Sequence, residues 1–258
     1  MKVHFGSPNQ VQTVSCAVPL YGIKEFESPT RSTIPMLSLL IHNPGMFAQI
    51  VDELEMPRVH DLFLEYTVPP PKGRGKASHT DVMLKAGPHA LGIEAKWTEP
   101  MYPTVEAWIK EGTNEDNRRL VLDGWLSLLQ KRVTKKLMTN DSDDAIYQMV
   151  HRAASAAASG DHARLAYSLF ELPSFRQEAG HGDIVVRLRD LWSKLGNPQS
   201  FPFYAVTIKI EPLEAYESIR HLPKGRETTA DSVIAALQSD SPLFEFQQYQ
   251  VQKIEENS

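Results

Sequence analysis

Ser78-His79-Thr80-Asp81-Val82-Met83-Leu84-Lys85-Ala86-Gly87-Pro88-His89-Ala90-Leu91-Gly92-Ile93-Glu94-Ala95-Lys96-Trp97-Thr98 contains two strand-like runs, Thr80 to Ala86 and Leu91 to Thr98. Gly87-Pro88-His89 between them is short enough for a hairpin turn. The hairpin carries charges where a core is expected. Side chains alternate along a strand, so Glu94 and Lys96 share one side while Ile93, Ala95 and Trp97 share the other. A carboxylate and an ammonium therefore stand next to each other. If the turn pairs the two strands, Asp81 comes within lateral reach of Glu94 once register and twist are allowed for.

Upstream, Pro29 to Ile41 carries a Ser/Thr- and proline-rich helix start and an apolar run, stopped by Asn43-Pro44-Gly45. Phe47, Ile50, Val51 and Leu54 predict a second helix from about Met46 to Glu55, with Asp52, Glu53 and Glu55 on its polar side. Leu62 to Val68 then reads as a strand running into the basic loop Pro69 to Lys76. With the hairpin, this makes three consecutive strands in a meander.

Downstream, Val121, Leu122, Trp125, Leu128, Leu129 and Val133 predict a long helix between Glu115 and Leu137, with Thr113 and Asp116 spaced as a capping pair. After Asp141-Ser142-Asp143 a further helix is expected. Its apolar face holds Ile146, Met149, Val150, Ala153 and Ala157; its polar face holds Gln148, Arg152, Ser155 and Ser159. A strand at Ala163 to Phe170, a helix at Ile184 to Leu195, a strand at Phe203 to Ile210, a helix at Asp231 to Gln238 and a strand near Phe244 to Val251 close the chain. The class is mixed α/β in a single domain, without repeats or a convincing linker.

The composition narrows the function. The chain has 258 residues, 41% apolar, with 27 Lys plus Arg against 32 Asp plus Glu and one cysteine. That describes a globular protein with a substantial core. No apolar stretch approaches the roughly 18 residues of a membrane span. Cys16 has no intrachain partner, which excludes a disulfide scaffold and a multi-thiolate zinc site. The start Met1-Lys2-Val3-His4-Phe5-Gly6 lacks a signal-peptide pattern, and the expectation is a cytoplasmic protein. A net charge of −5 argues against a uniformly basic coat for nucleic acid, but not against local basic patches.

Two carboxylates and a lysine at one sheet edge suit a hydrolytic metal site. Mg²⁺ prefers hard oxygens and is commonly held through one or two carboxylates, the rest of its shell being water and substrate phosphate. Asp81, Glu94 and the carbonyl of Ala95 can supply such ligands, and Lys96 can orient a water or add positive charge.

With Asp81 followed by Glu94-Ala95-Lys96, the sequence resembles the PD-(D/E)xK nuclease superfamily, whose core is a helix, a three-stranded meander, a second helix and a further strand. The element order from about Pro29 to Leu172 agrees with that core. The resemblance implies a restriction-endonuclease-like fold over about residues 29–172, with 173–258 as an α/β elaboration. It implies that Asp81 and Glu94 bind Mg²⁺ or Mn²⁺, that Lys96 helps activate the water, and that the substrate is nucleic acid, DNA rather than RNA. Thr80 stands where the family's name places proline. Many members have a glutamate on the first core helix, for which Glu53 is the preferred equivalent and Glu27, Glu55 and Glu65 are competitors. Several have a polar residue on the second helix, here Gln148, with Arg152 one turn on.

The basic loop containing Lys72, Arg74 and Lys76 could contact phosphate, although a solvated turn is the simpler reading; it lacks the spacing of a Walker loop. Arg132, Lys135 and Lys136 read as a helix end that complements its dipole. His79 and His89 flank the hairpin singly, no HExxH spacing occurs, and there is no G-x-S-x-G elbow. The reading leaves room for a homodimer. Its rival is a non-catalytic nucleic-acid- or partner-binding protein that keeps the nuclease fold.

Overall fold

A computed structural model describes residues 1–7, 9–172 and 180–255. The described strands are β1 (Lys2–Phe5), β2 (Asn9–Val11), β3 (Asp61–Val68), β4 (Ser78–Ala86), β5 (His89–Lys96), β6 (His162–Glu171), β7 (Phe203–Pro212) and β8 (Phe244–Lys253). The helices are α1 (Val14–Ala17), α2 (Thr33–His42), α3 (Pro44–Glu53), α4 (Val105–Lys110), α5 (Glu115–Leu129), α6 (Tyr147–Ser159), α7 (His181–Lys194), α8 (Glu214–Glu217) and α9 (Glu227–Gln238). All eight strands join one sheet in the order β2-β1-β3-β4-β5-β6-β7-β8. The expected meander is its centre: β3, β4 and β5 pair antiparallel, whereas β5, β6 and β7 run parallel.

Helices cover both faces. Leu91, Ile93, Ala95 and Trp97 of β5 belong to a core shared with α2, α3 and α9. Leu165, Tyr167 and Leu169 of β6 belong to the opposite core, with α5, α6 and α7. β5 is thus buried on both faces, as expected for a strand next to a parallel crossover. Helix α6 lies close on it, because a Cβ at Gly92 would come within 3.2 Å of the Ala156 Cβ. The C-terminal residues do not form a separate layer: β7 and β8 extend the same sheet.

Three expectations need correction. Helix α5 stops at Leu129 rather than near Leu137, and the Gln130 side chain takes over the turn, bonding the carbonyls of Val133 and Lys135 and accepting from the Leu137 N–H. Its N-cap is Asn114, whose side chain accepts from the Asn117 N–H, not the pair Thr113 and Asp116. Arg132 serves another helix, donating from Nε to the Ala157 carbonyl near the end of α6 and from Nη2 to Asp161.

Among the described residues no single helix is long and apolar enough to cross a membrane. The breaker Asn43-Pro44-Gly45 bends α3 by 104° from α2.

Candidate active site in the wedge between β4 and β5

The site exists because two strands part. Pairing of β4 with β5 runs from Ala86 opposite His89 to Val82 opposite Ile93 and stops there. β5 continues along β6 as far as Lys96 opposite Leu169, and β4 continues along β3 as far as Ser78 opposite Val68. Asp81 and Glu94 are the first residues beyond the last shared pair. The Asp81 carboxylate occupies the opening, accepting the Ala95 N–H at 2.6 Å. A strand residue presents its N–H and C=O to the same side, so the Ala95 carbonyl is directed into the wedge too.

β3 is irregular at the same level. Its register with β4 holds at Leu64 opposite Val82 and Tyr66 opposite Thr80, while Glu65 between them takes a left-handed φ of 51°. A non-glycine residue in that region carries strain that its surroundings must hold in place. The result is a cavity of about 480 Å³ whose lining includes Glu25, Glu65, Asp81, Glu94, Lys96 and Arg152.

Helix α6 supplies the opposing groups. Its polar stripe is not solvated: Gln148, Arg152 and Ser155 are buried against β4 and β5. Glu94, only 2% exposed, accepts from Arg152 Nε through Oε2. Its Oε1 accepts from Gln148 Nε2 at 2.8 Å and from Lys96 Nζ at 3.2 Å. Arg152 Nη1 also donates to Ser78 Oγ at 3.0 Å, and Ser78 Oγ lies 3.0 Å from His151 Nδ1. Such a network meets the requirement that a buried charge be paired and hydrogen-bonded.

The electrostatics are those of crowded carboxylates. Burial first, then Glu94 and Glu65, push Asp81 well above the ordinary carboxyl range, against the pull of Arg152 and the Ala95 N–H. Burial, then Glu25 and Glu94, raise Glu65 to about 7, again against Arg152. Burial works against the charge on Arg152, but Glu94 and Asp81 outweigh it and its pKa goes up. His151 is driven well below its usual value by burial and by Arg152, Lys96 and His79, so its ring is neutral.

Asp81, Glu94, Lys96, Gln148 and Arg152 therefore converge. Glu53 does not. It ends α3, which the bend at Pro44 carries away from the wedge, and it accepts from the Tyr249 hydroxyl of β8 at 2.6 Å. Among the competitors, Glu55 pairs with Lys253, Glu27 lies outside the cavity lining, and Glu65 lines it. Sequence reasoning missed Glu25, which follows Ile23 and Lys24 in a short 3₁₀ turn without periodicity. It also missed Glu99, which ties β5 to α2 by accepting from the N–H groups of Trp97 and Ser32. The basic loop is not a free turn, since Asn117 both donates to the Arg74 carbonyl and accepts from its N–H. Lys76 lines the carboxylate cavity, and both Lys76 and Arg74 line a neighbouring one; Lys72 faces a separate hollow beside Asp123 and Gln130. His79 reaches both main cavities, whereas His89 stacks on His162 at the far end of the hairpin.

A family described as a domain of unknown function, DUF6946, matches residues 11–199, most of the chain. The chain belongs to the DUF6946 family. The DUF6946 segment contains every residue of the wedge and ends just before β7. No curated protein and no solved structure matches the chain.

Proposed function

We propose that the wedge is the active site of a divalent-metal-dependent nuclease with a restriction-endonuclease-like core, hydrolysing phosphodiester bonds in DNA. The observation that carries this reading is the convergence of Asp81, Glu94 and Lys96 where β4 and β5 part, with α6 behind them. The element sequence α2, β3-β4-β5, α6, β6 supports it as well.

The donor set fits a hard cation. The wedge offers carboxylate and carbonyl oxygens and no thiolate, and burial first, then neighbouring acids, raise the pKa of Asp81 and of Glu65, so a cation there would stabilise their charged forms. Among the described residues no group of three or more His, Cys, Asp and Glu side chains could hold an ion. Two carboxylates with a backbone carbonyl lie below that number and are what Mg²⁺ or Mn²⁺ commonly takes from a protein. Asp81, Glu94 and the Ala95 carbonyl would hold it. When bound, the cation supplies Lewis acidity toward a phosphoryl oxygen and lowers the pKa of a water.

The chain's own residues do the rest. Arg152 and Gln148 fix the Glu94 carboxylate, and the Ala95 N–H fixes that of Asp81. The ammonium of Lys96, 3.2 Å from Glu94, is placed to orient the attacking water and to offset charge on the phosphorane as one P–O bond forms and another breaks. Calorimetry tests this: Mg²⁺ should bind the wild type and bind Asp81→Asn at least tenfold more weakly. Equal affinity in the two proteins would sink the metal assignment.

One observation favours a second reading. Both oxygens of Glu94 already have protein donors, so the wedge could be a closed polar network in a non-catalytic nucleic-acid-binding protein. That reading predicts no metal binding at all.

A further inference from the structure

Beside the carboxylate cavity lies a second one of about 500 Å³, and the two share Lys76, His79, Tyr102, Gln148 and Arg152. The first mixes five acids with four cations, Arg31, Lys76, Lys96 and Arg152. The second is lined by the cations Arg74, Lys76, Arg118 and Arg152 and by the aromatic rings of Tyr102, Trp108, Trp125 and Tyr147; no Asp or Glu lines it among the described residues. A large recess that is cationic and aromatic together suits a ligand with an anionic group and a flat ring.

Arg118 makes the case specific. Its guanidinium carbon sits 4.9 Å from the centroid of the Trp108 ring, and Trp108 is stacked on Tyr147 with centroids 3.6 Å apart and planes 8° apart. The guanidinium is thus held in place, yet its Nη1 is buried without a hydrogen-bond partner among the described residues. A buried donor left unpaired calls for a partner that the protein itself does not supply, such as a water or an anionic or carbonyl oxygen of a ligand. Tyr102, at the junction of the cavities, is 50% exposed, and Lys96 Nζ lies 5.6 Å from its ring centroid. An exposed ring beside the proposed reacting group gives a stacking surface that needs no rearrangement.

We propose that this cavity takes one unpaired nucleotide flanking the scissile phosphate, its base stacked on Tyr102 and its phosphate or a base carbonyl bound by Arg118. The proposal rests on the nuclease reading of the adjoining wedge and adds the substrate class: a single strand. In a duplex the base faces are covered by their neighbours, so an aromatic platform can reach only an unstacked base.

The test is fluorescence anisotropy in EDTA with a short labelled DNA strand, its RNA equivalent, the matched duplex, and a free 5′-mononucleotide as competitor. Single strands should bind at least tenfold more tightly than duplex, and Tyr102→Ala and Arg118→Ala should each weaken that binding about tenfold. Tyr102→Phe should retain it, because the ring remains. Since Tyr102 is exposed, its variants keep the fold, and thermal melts verify this. Preference for duplex, indifference to both alanine variants, or equal affinity for the mononucleotide would each overturn the pocket. Cleavage of duplex with Mg²⁺, unaltered in both variants, would remove the pocket and leave the nuclease standing. Single-strand binding through Tyr102 and Arg118 without cleavage of any substrate would uphold the pocket and remove the nuclease.

Discussion

Glu94 is the residue on which the site turns, because it is a buried carboxylate held by Arg152, Gln148 and Lys96 together. Removing one member of a buried ion pair leaves the other uncompensated, which typically costs about 3–5 kcal/mol. Arg152→Ala should therefore lower unfolding stability by that order in urea titrations, while Lys96→Ala, which removes one 3.2 Å contact and leaves Glu94 paired with Arg152, should lower it by less than half as much. Glu65 gives a pH signature. Its carboxyl titrates near 7 in the fold against 4.5 ordinarily, so between these values the native state holds more protons than the unfolded chain. Metal-free protein should lose stability as pH rises through that window, and Glu65→Gln should flatten the slope; an unchanged slope in the variant would contradict the assignment. At this scale strand alternation paired Glu94 with Lys96 and helical spacing paired Gln148 with Arg152, while joining these pairs to Asp81 in one site came from the resemblance. Glu53 misled because a helix's polar side does not reveal which way a bent helix pair points. Glu25, Tyr102 and Arg118 carried no periodic signal, being joined to the site only by tertiary packing.

Helix α6 shows what a single element can and cannot disclose. Its two faces were readable from spacing, but the sequence could not say that the polar stripe is buried, since periodicity gives faces and not neighbours. Its seat on β5 depends on small residues, Gly92 against Ala156 foremost. Gly92→Val should push the helix outward and displace Gln148 and Arg152 from Glu94, with a stability loss of about 1–3 kcal/mol in denaturant titrations and a larger proportional loss of activity. The central meander, α2, α3, α7 and the strands β6 to β8 were recognisable from apolar patterning. β1 and β2 were not, because strands of four and three residues are too short for alternation to register.

Over the whole molecule, the single sheet makes the site depend on residues far from it in sequence. Trp97, immediately after the Lys96 end of β5, packs against Tyr216 and Phe244 with ring centroids 5.8 and 5.6 Å away. A chain ending at Gln199, where the family match ends, keeps every wedge residue but loses β7, α8, α9 and β8; it should fail to give a cooperative thermal transition by circular dichroism. The most direct test of the central claim is cleavage of supercoiled plasmid and labelled single strands with Mg²⁺, Mn²⁺ or EDTA, by the wild type and Lys96→Ala side by side. Cutting that needs the divalent cation and is lost in the variant is the predicted result, whereas no cutting of any substrate by the wild type, or full activity in Lys96→Ala, would contradict it.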